Sequence, residues 1–232
     1  VAEMALGLTL SIARSIHIAH NDFIRGTEKY GGEISSNNFL LKNKNFGIIG
    51  FGDLANSLLP LIKPFAKNIL AYDPWVPSFM LKKKNVLPVN LKDLLKNSDI
   101  IYILATITTS NIGMIDASKL KLLKPGAVII LMSRAAIINF KDLYKFLSKK
   151  KNFAAIDVFP VEPVPKNDPF RQLDNVIFSP HRAGALDIAF KEMGEIVLQD
   201  IHLIMKNLPP RLCKRAEKET VKYLRSKPVD IN

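Results

Sequence analysis

The chain has 232 residues, 48% of them hydrophobic, enough for one large domain or one and a half small ones with a substantial core. Thirty-three Lys and Arg against twenty-one Asp and Glu leave a formal charge of +12. The excess lies in short lysine clusters (Leu81 to Asn85, Ser148 to Asn152) and in the tail after Pro210, with little aromatic interleaving. The expectation is a solvated lysine-rich face that steers small anions, with no nucleic-acid partner. One cysteine, Cys213, excludes an internal disulfide and suits a reducing cytoplasm. No apolar run has bilayer length, so no membrane partner is expected.

Ala2 to His20 places apolar residues at Leu8, Ile12, Ile16 and Ala19, the spacing of one helix with one buried stripe. It lacks the basic start and small-residue cleavage site of a signal peptide. The chain begins at Val1 already inside this pattern, and so reads as a fragment, a processed product or a trimmed piece. A polar, glycine-bearing connection runs from Asn21 to Asn45. Short apolar runs then recur: FGIIG, NILAYD, DIIYILAT, GAVIILMS, FAAIDVF and NVIFSP, with helical stretches between them at 54–65, 91–96, 116–123 and 140–148. Apolar strands alternating with helices predict an α/β fold, a Rossmann-like doubly wound parallel sheet with flanking helices. A last helix is predicted from Gly184 to Lys206, ended by Asn207-Leu208-Pro209-Pro210. No internal repeat is present.

The first chemical signal is the turn in FGIIGFGDLANSLLPLI. Gly50 and Gly52 end a strand and open a helix, and without a side chain at Gly52 a pyrophosphate can approach the N–H groups of the helix N-terminus. Ala55 stands at the third glycine position, where close helix packing is needed. Asp53, between the glycines and the helix, faces solvent or the cofactor edge and has no assigned role. Alone, this pattern could be a plain tight turn. It is joined by ILAYDP, a second strand ending in Asp73 about twenty residues on, where a carboxylate would bond the adenosine ribose hydroxyls and repel a 2′-phosphate, favouring NAD over NADP. Asp-Pro could instead merely start a turn.

Later strand ends give the second signal. GAVIILMSRAAII puts Ser133 and Arg134 at the carboxyl end of a strand, the edge where open α/β sheets bind ligands. A guanidinium there must reach solvent, an acid or an anion, and its planar fork suits a carboxylate. FAAIDVFPVEPVP ends its strand at Asp157 and carries Glu162 in a loop restricted by Pro160, Pro163 and Pro165. NVIFSPHRAG places His181 after the following strand. If these strands share a sheet, Arg134, Glu162 and His181 converge. His17, His20 and His202 lie on predicted helices and read as helix-face residues, and no His, Cys or carboxylate cluster has metal spacing.

In these segments, together with the opening VAEMALGLTLSIAR, the chain resembles the cofactor-binding domain of the D-specific 2-hydroxyacid dehydrogenases, which include phosphoglycerate, glycerate, glyoxylate/hydroxypyruvate and D-lactate dehydrogenases. The resemblance implies that Arg134 binds the substrate carboxylate and carbonyl, that His181 is the acid/base and that Glu162 pairs with it. It implies NAD as cofactor, with Gly50, Gly52, Asp53, Leu54, Asp73, Ala105, Thr106, Ser133, Arg134, Asp157 and His181 along its path. It also implies a homodimer formed by the opening helix and the following arm. Three departures stand out. Ala135 follows the arginine where family members usually have glycine, Thr106 replaces a proline in Leu104 to Thr108, and the upstream residues of the family's substrate domain are absent. Residues 1–208 are accordingly expected to form the NAD-binding domain with its dimerisation helix and arm, and 209–232 a basic tail, a candidate remnant of the substrate domain.

The chemistry stands apart from the name. Reducing a 2-keto acid needs a hydride donor, a proton for the developing alkoxide and a cation on the neighbouring carboxylate. NADH, His181 and Arg134 would supply them, while Glu162 would orient the imidazole and stabilise its cation. The competing expectation is an NAD-binding fragment or regulatory module with little or no turnover.

Overall fold

Seven parallel strands make a single sheet in the computed structural model, which describes residues 1–31 and 38–216. Part of the expected arm (32–37) and most of the basic tail (217–232) fall outside the described residues. In chain order come α1 (Ala2–Ala13), α2 (Ile16–Arg25), β1 (Lys44–Ile49), α3 (Asp53–Ile62), β2 (Ala66–Tyr72), α4 (Ser78–Lys83), β3 (Leu87–Pro88), α5 (Leu91–Asn97) and β4 (Ile100–Ile103). They are followed by α6 (Ala117–Leu120), β5 (Val128–Leu131), α7 (Phe140–Leu147), β6 (Phe153–Ile156), β7 (Val176–Phe178) and α8 (Asp187–Met205). The strand order β3-β2-β1-β4-β5-β6-β7 reverses direction at β1. That switch point opens a crevice at the carboxyl edge, between the loops after β1 and β4. This is the doubly wound α/β fold read from the sequence. The short α4 and β3, absent from that reading, extend the sheet beyond β2.

The unbroken apolar runs have a simple cause. Alternate residues of one strand serve two cores, one on each face of the sheet. Phe46, Ile48, Ile100, Tyr102, Val128 and Ile130 pack with Leu58 and Ile62 of α3 and with α1. Ile49, Ile101, Ile103, Ile129 and Leu131 pack with Leu94 and Leu95 of α5, Leu120 of α6, and Leu143 and Leu147 of α7. Both faces are covered, so no strand position of β4 or β5 is left for a polar residue except Tyr102.

The opening helix departs from expectation. Ala2 to His20 is two helices, because Ser15 turns left-handed at φ 50° and the N–H of Phe39, on the returning chain, takes the Ala13 carbonyl at 2.8 Å. A continuous helix would have given that carbonyl to residue 17. The buried stripe is therefore Ala5, Thr9, Ile12 and Ala13, packed within its own subunit, while Ile16 and Ala19 are exposed. The apolar exposure lies instead on α2, at Ile16, Ile18, Phe23 and Ile24. On α8, Asp200 is the only buried residue.

Thr9 is the polar member of the stripe. Its hydroxyl donates to the Ala5 carbonyl at 2.7 Å and lies 2.9 Å from the Tyr102 hydroxyl. With its one proton spent on Ala5, Thr9 can only accept, so the buried Tyr102 O–H donates. Burial also holds the phenol well above its ordinary pKa. Thr9→Val would strand a buried donor and cost about 1–3 kcal/mol, whereas Tyr102→Phe removes that donor and costs about 0.5–1.5 kcal/mol. Urea unfolding of the two variants gives the order; a costlier Tyr102→Phe would reverse the donor assignment.

Candidate active site

At the carboxyl edge, the chain leaves β1 through Gly50 at φ 87°, a conformation that favours glycine. The space is closed as well: a Cβ on Gly50 would lie 2.3 Å from the Cα of Ala105, whereas one on Gly52 would meet nothing within 4 Å. The first glycine lets the loop after β4 lie against the turn, and the second leaves the mouth of α3 open to a ligand. Asp73, at the end of β2, accepts the N–H of Phe51 at 2.6 Å and that of Trp75 at 2.8 Å. Its carboxylate thus braces the glycine turn from the side where a ribose would lie. Ala55, on α3, is fully buried, in keeping with a packing position.

Two cavities meet at this turn, sharing Gly52, Leu104, Ala105 and Thr106. One, of about 760 Å³, runs past Asp73, Trp75, Thr108 and Asn111. The other, of about 490 Å³, holds Asp53, Leu54, Ser133, Arg134, Asp157 and His181. A dinucleotide needs such a pair of chambers, one for each nucleoside, joined over a backbone that can receive phosphate. The residues present fit that group. Asn111, which the sequence reading passed over, donates to the Thr106 carbonyl and accepts from the Thr108 N–H, both at 2.8 Å, and so folds the loop that forms the shared wall. Both bonds run back along the chain, three and five residues, and so lack the forward spacing by which an Asx turn is read.

His181 is exposed in part and adopts φ 55°, left-handed for a residue with a side chain. Its Nδ1 lies 2.8 Å from Oε2 of Glu162, whose Oε1 accepts the Phe159 N–H at 2.8 Å. The Glu162 side chain is 14% exposed and lies behind the ring, away from the chamber that His181 lines. Arg134 enters the same chamber from the end of β5, one Nη1 donating to the Ser133 carbonyl at 2.8 Å. Ser133 is buried and donates to the Ile103 carbonyl at 3.1 Å.

Asp157 reaches the wall of this chamber with its carboxylate occupied. It is 1% exposed, and its carboxylate accepts the Ser179 hydroxyl, the Arg182 N–H at 3.0 Å and the Ala183 N–H at 3.2 Å. These donors flank His181 on both sides, so the carboxylate over-determines the strained backbone that aims the imidazole. Among the described residues no group of three or more His, Cys, Asp or Glu could hold a metal ion. No helix among them is long and apolar enough to cross a membrane.

With this geometry in place, comparison with known proteins defines the class. The family model for the D-isomer specific 2-hydroxyacid dehydrogenase, NAD binding domain, matches residues 6–183, and the chain belongs to that family. It is 33% identical over 211 residues to a D-3-phosphoglycerate dehydrogenase of Methanocaldococcus jannaschii, covering 89% of this chain and 39% of that one. It is 31% identical over 223 residues to a glyoxylate reductase of Thermococcus litoralis, covering 92% of this chain and 66% of that protein. The crystal structure of a phosphoglycerate oxidoreductase from Rhizobium etli superposes with a TM-score of 0.84 at 42% identity, over 95% of this chain and 66% of that one. The chain therefore spans from two fifths to two thirds of these relatives' lengths.

Asp157→Asn replaces one acceptor oxygen by a donor facing an N–H. It is expected to cost about 1–3 kcal/mol in urea unfolding and to raise proteolytic cleavage within 179–184. Unchanged stability and protection would show that the loop is held by other contacts.

Proposed function

We propose that this chain is the cofactor-binding half of an NAD-dependent oxidoreductase that reduces a small 2-keto acid, of the glyoxylate, hydroxypyruvate or phosphoglycerate type, to the D-2-hydroxy acid. One observation carries the reading: His181, backed by Glu162, and Arg134 line one chamber that opens onto the glycine turn. Gly50, Gly52 and the first N–H groups of α3 would take the pyrophosphate, Asp73 the ribose hydroxyls, and Ala105, Thr106 and Ser133 the wall between. When bound, the cofactor supplies the hydride. Arg134 would hold the substrate carboxylate and polarise its carbonyl. His181 Nδ1 is engaged by Glu162, which leaves Nε2 to deliver the proton to the developing alkoxide.

NADH is expected to bind more tightly than NADPH, because a 2′-phosphate would meet the Asp73 carboxylate; titration of nicotinamide fluorescence decides. His181→Ala should keep NADH affinity within about twofold while turnover with glyoxylate or hydroxypyruvate falls by roughly 10²–10⁴. A His181→Ala enzyme as fast as its parent would make the histidine structural. Arg134→Ala should damage keto-acid KM and kcat together. The second reading is a cofactor-binding module with little turnover of its own, since fold alone carries no activity; NADH binding without keto-acid reduction would support it.

The homodimer is proposed from the family resemblance and from the exposed apolar residues of α2, not from α1, whose stripe is already covered. Sedimentation at micromolar concentration should give a dimer, and Phe23→Lys with Ile24→Lys should shift it to monomer. The domain assignment of 1–208 and the cytoplasmic location belong to the same proposal.

A further inference from the structure

An acid stands at the glycine turn where a phosphate would bind. Asp53 is the first residue of α3, directly after Gly52, and is exposed at the mouth of the chamber that holds Arg134 and His181. A carboxylate there takes the favourable place at the positive end of the helix and repels a diphosphate brought to the same N–H groups. In a dinucleotide site this is a conflict of like charges.

The structure supplies a counter-charge from the far end of the chain. Asp200, buried on α8, accepts the N–H of Arg211 at 2.8 Å and of Cys213 at 2.6 Å, and that of Leu212 at 3.0 and 3.1 Å through its two oxygens. These donors, Arg211 first, hold its carboxyl down to about 2. The clamp contributes above the ordinary aspartate value and is lost only as pH falls through about 2, so it stays charged wherever a binding titration is run. The next residue is Lys214, and its ammonium pairs with the Asp53 carboxylate across 161 positions of sequence. Both side chains are largely exposed, so the pair adds little to stability. A lysine held this way gains its meaning from what else reaches the turn.

We propose that Lys214 is a cofactor-positioning residue: carried to the glycine turn by the Asp200 clamp, its ammonium offsets Asp53 and serves as a cation for the dinucleotide diphosphate. This rests on the reading of the cleft as a dinucleotide site. Lysine suits the role, being a compact point charge on a long stem that can shift from carboxylate to phosphate without moving the backbone.

The test uses the full chain, titrated with NADH, with ADP-ribose, which keeps the diphosphate, and with adenosine, which lacks it. Lys214→Ala should weaken NADH and ADP-ribose binding about three- to fivefold, the scale of one exposed charge pair, and leave adenosine unchanged. Adding Asp53→Asn to that variant should recover most of the loss. The wild type should lose NADH affinity more steeply with salt than Lys214→Ala does. Asp200→Asn should reproduce the Lys214→Ala loss. If the wild type binds NADH and Lys214→Ala binds it equally well, Lys214 is an ordinary surface residue and the cofactor reading stands without it. An equal loss for adenosine and ADP-ribose would make its role structural and overturn the proposal. Failure of the wild type to bind either NADH or ADP-ribose would overturn both.

Discussion

A Cβ on Gly50 would stand 2.3 Å from the Cα of Ala105, and this contact of backbone on backbone fixes the distance between the loops that follow β1 and β4. Those loops border the switch point of the sheet, where neighbouring connections leave toward opposite faces and a crevice must form. Any side chain at residue 50 would force them apart, and the two chambers would no longer share Gly52, Ala105 and Thr106 as a common wall. The cleft is thus a consequence of one missing methyl group placed on a doubly covered sheet. Its stiffness comes from the two cores that grip β1, β4 and β5 from either side.

A second device recurs around this frame. Asp73 ties down the N–H groups of Phe51 and Trp75, Asp157 those of Arg182 and Ala183, and Asp200 those of Arg211, Leu212 and Cys213. In each case a carboxylate gathers the donors of an irregular segment that has no ladder to satisfy them. Hydrogen bonds to an ionised acceptor are worth more than neutral ones, so a few of them can order a loop that buries little apolar surface. Acids that look like ligand contacts in a linear reading are here, in part, the braces of the loops that make the contacts.

What the sequence made legible follows from this division. The alternating runs and glycine turn announced the sheet and the edge where Asp73, Arg134, Glu162 and His181 stand, because strand ends are local features and parallel topology brings successive ends together. The joint at Ser15 was not legible, since the group that ends α1 is the N–H of Phe39, outside any helical window. The bonding role of Asp157 was hidden for a related reason: it follows FAAI directly, but its partners arrive from beyond β7. Lys214 and Asp53 lie too far apart in sequence for any spacing to join them. Periodicity reports which face a residue takes, and these contacts are made where the chain has no period.

The strain at His181 connects the two themes. A left-handed backbone at a residue with a side chain costs of order 1 kcal/mol and persists only where its surroundings hold it. Here Asp157 bonds Ser179 on one side of it and Arg182 and Ala183 on the other, while Glu162, itself held by the Phe159 N–H, takes Nδ1. Backbone and ring are thus fixed by separate acids from one connection, the loop after β6. A histidine on a relaxed extended strand could turn its ring with a single χ1 change; this one would have to give up the Glu162 bond to do so. The direction of Nε2 is consequently set by groups within 157–183, all on the sheet's own edge. Orientation of the proton-carrying nitrogen requires nothing from a second lobe, so what a second lobe could add is confinement of the substrate and exclusion of water.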